Sequence, residues 1–463
     1  MKREYKTTTV MQRALTTLLL LIGVTAAATA QTPKVLTMEQ AIATAIQNNR
    51  DLKISRLEIE NADARVDEAY SNALPSVGLN GRYTFNIAKQ VFYIPGQDGI
   101  VRPIEIGSDN ALQADITVNQ IIYNQAAFDA PNTAKVYSQI SRQQLRATAS
   151  EVILTVKRAF YTAMLTKEYL LVSEQLLANS EETFKNAQTL YKAGIRAEFD
   201  AIRAEVQVAN QKPAVVQARD NYNQALDGLK LAMGIPETEQ IDVAERVARP
   251  ASLERVEPQV EEAKKLLEEY NPQLQALALN DEVNQQLIDI KRSDYLPTLG
   301  FFGTYQYSAQ ADKFGDLEFQ PTAYVGLNLS LSLYNGGKTK AQEEQARVEK
   351  EKSKLQLENA RNGLRTQIET IIRRIDFARQ RIAATDRVID QADKGYKIAQ
   401  ASYKAGTGTQ LQINDADIAM AQSKWNQMTA INDYNVALAE LEALLGQRYQ
   451  ITGDGTDVKY SQN

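Results

Sequence analysis

Two side chains that carry much of biological chemistry are missing from this chain: it has no histidine and no cysteine. Imidazole and thiolate ligands are therefore unavailable to a metal, a thiol nucleophile cannot be built, and no disulfide can staple the fold. Carboxylates remain for proton or charge chemistry. Asp200, Asp415 and Asp417 draw notice because they follow the two copies of a repeated phrase, "YKAG", which begins at Tyr191 and again at Tyr403. No carboxylate pair stands apart from an ordinary solvated helix face, so the chain reads as no enzyme and needs no cofactor. Near the start of a helix, such acids are favoured simply by the positive end of the helix dipole.

The phrase is one point in a longer duplication. The first copy leads to "NYNQALDGLKLAMG" at Asn221–Gly234 and the second to "DYNVALAELEALLG" at Asp433–Gly446, 212 positions apart in each case. Upstream, "ALPSVGLNGRYTFN" (Ala73–Asn86) matches "YLPTLGFFGTYQYS" (Tyr295–Ser308) at an offset of 222, and "QIIYNQ" matches "LSLYNG" at 211. The chain is two copies of one unit, at about 31–234 and 259–446, with eleven extra residues in the first copy between its Leu-Pro and its Tyr-Asn. Repeats are read one unit at a time.

Each unit opens helical. Thr37 and Gln40 stand at capping-box spacing, and Asn271-Pro272 supplies an N-cap with a first-turn proline. Both helical stretches end at Leu-Pro, at Pro75 and Pro297, because proline drives its predecessor out of the helical region. Two strands per unit follow, over about 74–93 and 108–123, then about 296–310 and 319–334. In "AYVGLNLSLSLYN", Val325, Leu327, Leu329, Leu331 and Leu333 alternate with polar or small residues; Leu112, Ala114, Ile116 and Val118 do the same. A period of two sends the apolar set to one face. Such strands suit a soluble sandwich, but their length, terminal aromatics and polar second face favour a membrane barrel. Irregular loops, Ile87–Gly107 and Ala309–Glu318, are expected to join the strand pairs.

After Tyr-Asn each unit turns into a long helix. Val156, Ala163, Leu170, Leu177, Phe184 and Tyr191 recur every seven residues, as do Ile368, Ile375, Ile382, Ile389, Tyr396 and Tyr403. This period specifies a coiled-coil seam. A helix from about Pro131 to Lys192 would be roughly 90 Å long at 1.5 Å per residue. Each stops at Ala-Gly, where glycine accepts positive φ, and a return helix follows at once. Long hairpins are therefore expected over about 126–233 and 337–445. Pro213 should kink the first return helix; the second has Trp425 there. Residues 235–258, with three prolines and many charges, read as a solvated linker, and 447–463 as a poorly ordered tail.

The first thirty residues have the form of a secretory signal: Lys2, Arg3, Lys6 and Arg13, then apolar "ALTTLLLLIGV", then a small-residue "ATA" site. The run is too short for a stable membrane span. Losing this basic leader makes the mature chain, starting at Gln31, more acidic than the formal −5 of the whole. An acidic chain without clustered Lys and Arg argues against a nucleic-acid partner.

Four strands are too few to close a barrel, and open sheet edges are not tolerated in lipid. Several chains must share one barrel, and three copies would give twelve strands, within the known range. The ordered, duplicated set (helix, Leu-Pro, two strands, Tyr-Asn, long helix, Tyr-x-x-Gly, return helix) resembles the TolC-like outer-membrane efflux proteins from about Leu36 to Gly446. The resemblance implies an α+β membrane protein: a homotrimer whose twelve-stranded outer-membrane β-barrel continues into a long periplasmic α-barrel. It also implies a Gram-negative outer membrane, an inner-membrane pump, and a periplasmic adapter docking at the helical tips. Gly194 and Gly406 match the family's turn glycine, Tyr191 and Tyr403 precede it by three, and Ile195 and Thr407 follow it. By the same resemblance, Asp200, Asp415 and Asp417 are candidates for an acidic constriction at the periplasmic entrance. After the glycines "GIRAEFDA" is charged and "GTGTQLQINDAD" is polar, with Gly408 and Gln412 leaving few charges for a salt-bridged gate. A periplasmic coiled-coil adapter and a structural coiled-coil protein without a pore are the alternatives.

Overall fold

Thr37 and Gln40 form a reciprocal cap: the Thr37 N–H donates to Gln40 Oε1 at 3.1 Å, and the Gln40 N–H donates to Thr37 Oγ1 at 3.2 Å. The computed structural model describes residues 33–95, 100–250, 253–255, 257–446, 449–451 and 458–460. The expected signal at 1–30 and most of the tail lie outside the described residues. In chain order the first repeat contains β1 (Lys34–Leu36), α1 (Met38–Asn48), α2 (Arg50–Ser71), β2 (Ser76–Phe85), β3 (Gln90–Pro95), β4 (Val101–Ile106), β5 (Asn110–Tyr123), α3 (Gln125–Lys192) and α4 (Glu198–Met233). Then come β6 (Ile241–Val243), α5 (Val260–Tyr270), α6 (Pro272–Arg292), β7 (Thr298–Ala311), β8 (Gln320–Ser330), α7 (Lys338–Lys404), α8 (Gln410–Leu445), β9 (Tyr449–Ile451) and β10 (Val458–Tyr460).

The fold divides into two units. The first holds residues up to Asn48 with Val156–Arg249 and Ala384–Asn432. Its helices bury Phe160 and Ala163 of α3, Ala204 and Ala218 of α4, and Ile413 and Met420 of α8. Strand β1 pairs in parallel with β6, so part of the expected linker is a strand: Ile241 and Val243 are buried on either side of Asp242. Lys167 Nζ donates to Asp242 Oδ1 at 2.7 Å and to the Val243 carbonyl at 2.8 Å, and the Tyr222 hydroxyl donates to the same carboxylate. Burial opposes the Asp242 charge, yet these donors prevail and hold its pKa below the ordinary value. Arg246 grips the buried Glu168 carboxylate with two bonds, at 2.5 and 2.7 Å.

The second unit holds Asn49–Thr155, Pro250–Ala383 and Asp433 onward. Asn49 caps α2 by accepting from the Asp51 and Leu52 N–H groups, and Asn271 caps α6 by accepting from Leu274 N–H at 3.0 Å. Ile368, Ile375 and Ile382 of α7 are fully buried, which makes the isoleucine column of the heptad pattern a packed seam. Helix α8 ends at Gly446 (φ +68°), where a Cβ would stand 2.9 Å from the Tyr270 carbonyl, so only glycine fits.

The sheet of this unit is antiparallel in the order β2-β5-β7-β8. Two expectations are corrected. The segment Ile87–Gly107 is not an irregular loop: β3 and β4 pair as a separate antiparallel ribbon, built from the β-prone "QVFYIP" and "VRPIEI". The last strand ends at Ser330 rather than near 334, because its partner β7 begins at Thr298, directly after Pro297, and leaves Leu331 and Leu333 no ladder.

Candidate functional site

The sheet separates its side chains into two faces. Cross-strand rows such as Leu79–Ile116–Tyr305–Ala323 and Val77–Val118–Gly303–Val325 make one face apolar. Rows such as Asn80–Asp115–Gln306–Thr322 make the other polar. Asp115 accepts from Asn80 Nδ2 (2.9 Å) and Gln113 Nε2 (3.3 Å), so its charge is held within an amide network on that face. The apolar face is bare: Val77 is 70% exposed, Leu79 77%, Val325 76% and Leu329 69%. Tyr83 and Tyr307 stand on this face toward the end away from the helices, where the Phe314 ring meets Tyr83 edge-on, 6.1 Å between ring centres. In water such a surface is costly; in hydrocarbon it is the stable arrangement. Among the described residues, strands β2 and β8 each have one unpaired edge.

The helix-to-strand junctions are set by the prolines. Leu74 and Leu296 donate their N–H groups back to Ser71 and Ser293, the chain extends, and β2 and β7 begin immediately after Pro75 and Pro297. Among the described residues no helix is long and apolar enough to cross a membrane.

At the hairpin tips the two copies share one backbone and then diverge. Gly194 (φ +70°) and Gly406 (φ +79°) are left-handed, and the next residue's N–H, of Ile195 or Thr407, returns to the carbonyl of Leu190 or Ser402. Ile195 and Thr407 are both exposed. The next helix starts differently. Helix α4 has Ala197 at its N-cap and no side-chain bond. Helix α8 begins with a second reciprocal box: Thr409 N–H to Gln412 Oε1 (2.9 Å), Gln412 N–H to Thr409 Oγ1 (3.3 Å). Gln412 is thereby used as a cap.

The tyrosines diverge as well. Tyr191 is 40% exposed, whereas Tyr403 is 2% exposed beneath the Arg196 guanidinium, 5.3 Å from its ring centre. Arg196 also donates from Nη2 to the Gly408 carbonyl at 2.8 Å, joining the two turns. Burial and nearby Asp200 push the Tyr403 hydroxyl pKa up, against the opposing pull of Arg196. The three candidate acids do not share one environment. Asp200 is half-buried in the first turn of α4, and Asp415 is exposed. Asp417 is buried, and its Oδ1 accepts from Asn179 Nδ2 of α3 at 2.8 Å. Burial pushes its pKa up to about 6, against the Asn179 bond and the Lys424 charge.

Arg196, Asn179 and the Thr409–Gln412 box escaped the sequence reading. The box was legible from its spacing, and so was the burial of Asp417, which shares a helical face with Ile413 and Met420 at i−4 and i+3. The Arg196–Gly408 bond joins residues 212 apart, and no local pattern encodes it.

The family profile described as outer membrane efflux protein matches residues 41–235 and 264–447, one match on each repeat. The outer membrane protein TolC of Vibrio cholerae is 21% identical over 411 residues, spanning 86% of this chain and 88% of that protein. The alkaline protease secretion protein AprF of Pseudomonas aeruginosa is 23% identical over 338 residues, spanning 72% of this chain and 69% of AprF. Among solved structures, the open state of the Neisseria gonorrhoeae MtrE outer membrane channel superimposes with a TM-score of 0.71 at 16% identity, covering 88% of each chain.

Proposed function

Since the chain belongs to the outer membrane efflux protein family, we propose that three copies close one twelve-stranded barrel in the outer membrane and act as the exit duct of an efflux or secretion system. The observation that carries this reading is the four-stranded sheet with a bare apolar face, a polar face and two unpaired edges. In lipid every backbone group must find a partner, so β8 of one copy pairs with β2 of the next until the ring closes. The polar face then lines the lumen, with Asp115 in its amide network as part of the wall. The long hairpins continue the duct on the periplasmic side, where the tips at Gly194 and Gly406 meet an adapter and, through it, an inner-membrane pump. Asp415 is the acid most available to passing cations at that entrance, because Asp417 is taken up in helix packing.

The test is fractionation followed by conductance. The protein should remain in outer membranes after a high-salt wash and conduct ions when reconstituted in planar bilayers. Release by salt, as for a peripheral adapter, or a bilayer with no conductance, would overturn the reading.

A further inference from the structure

Among the described residues the β3–β4 ribbon pairs with no third strand, although each of its faces carries exposed apolar side chains. Val91 and Tyr93 lie on one face, Phe92, Ile94, Ile104 and Ile106 on the other, and all are exposed. An isolated two-stranded ribbon is marginal in water, and a bare apolar surface of this extent marks a contact site. Hydrocarbon does not cover it. At the ribbon's base Lys89 pairs with Asp312 at 2.6 Å and Asp109 at 3.3 Å, and such a charge cluster belongs outside the apolar zone. Asn86 continues the β2–β5 ladder through this base, its N–H donating to the Asp109 carbonyl (2.8 Å) and its Nδ2 to Ser108 (2.7 Å). The ribbon is thus anchored above the barrel band, on the side where strand β2 leaves the membrane.

Strand β2 is one of the two unpaired edges, and the other is β8. Their directions in the antiparallel sheet set what lies beside the ribbon when copies join. β2 runs away from the helices and β8 toward them, so the start of one copy's β8 sits beside the end of the next copy's β2. Phe319, immediately before β8, is 51% exposed at that point. The ribbon occurs once per chain, only on the β2 side, because the eleven extra residues of the first repeat fall there. Every seam therefore receives one ribbon and one Phe319.

We propose that the ribbon of each chain packs across the seam onto the β7–β8 turn of the neighbouring copy, around Phe319, and so clasps the outer rim of the assembly. The clasp rests on the shared-barrel reading above, and its test separates the two. The chain has no native cysteine, so introduced pairs report without background. The full-length protein in isolated outer membranes carries either Ile106→Cys with Phe319→Cys, the clasp pair, or Leu79→Cys with Leu327→Cys, the barrel-seam pair. Each is treated with a short flexible bis-maleimide and run on denaturing gels. Covalent dimers and trimers from both pairs are expected, and none from the single-cysteine variants. Oligomers from the seam pair alone, or a clasp pair linked only to a different protein, would overturn the clasp and leave the barrel standing. No oligomers from either pair would overturn both.

Discussion

Asp417→Asn isolates an electrostatic cost built into the α3–α8 packing. The folded pKa of Asp417 is raised from 3.8 to about 6, with burial as the main cause. An acid with a raised folded pKa binds its proton more tightly in the packed state. The packed state therefore pays no charge penalty below about pH 4, and the penalty grows as pH rises toward 6 and is complete above it. At 1.36 kcal/mol per unit the full penalty is about 3 kcal/mol at pH 8 and roughly half of that at pH 5. The groups bearing on this carboxylate are Asn179 on α3 and Lys424 on α8, with the Tyr396 hydroxyl of α7 also within its field. Asparagine keeps an oxygen to accept the Asn179 bond and removes the charge. Hydrogen exchange of peptides around Asn179 and Asp417, compared between variant and wild type at one pH, cancels intrinsic exchange rates. The variant should gain protection by about a hundredfold at pH 8, shrinking by about tenfold at pH 5. Equal protection at both pH values, or a gain larger at pH 5, would refute the reasoning.

Gly406→Ala should loosen the second turn by about 1–2 kcal/mol, read as faster exchange across Tyr403–Gln412, because the site is left-handed and the cost is conformational, nothing lying within 4 Å of a Cβ there. Gly326→Ala should lower the heat resistance of the assembly on gels: its Cβ would meet the Phe302 ring at 2.6 Å, an overpacking worth about 1–3 kcal/mol, and adding Phe302→Ala should restore it. Asp415→Asn should reduce cation preference in planar bilayers, while Asp417→Asn leaves it nearly unchanged; the opposite order would reverse the roles assigned to the two acids.

Much of this architecture was written locally. The seven-residue column ending in Tyr403 predicts the buried face of α7, and Ile368, Ile375 and Ile382 occupy it. Leu-Pro at both junctions, the left-handed glycines and the Asn271 cap are each consequences of one or two residues and their backbone preferences. The β3–β4 ribbon was missed because its proline and charged residues interrupt the alternation that marked the longer strands. At the tips, the unequal burial of Tyr191 and Tyr403 was also hidden. The phrase around both is the same, and the difference comes from Arg196, which lies in the other repeat from the tyrosine it covers.

The number of chains that share one barrel decides whether the duct can close. Native mass spectrometry of the protein extracted from salt-washed outer membranes counts them directly. Three mature chains in one complex are predicted, supplying twelve strands from four apiece. A single chain, or an assembly of any other number, would contradict it.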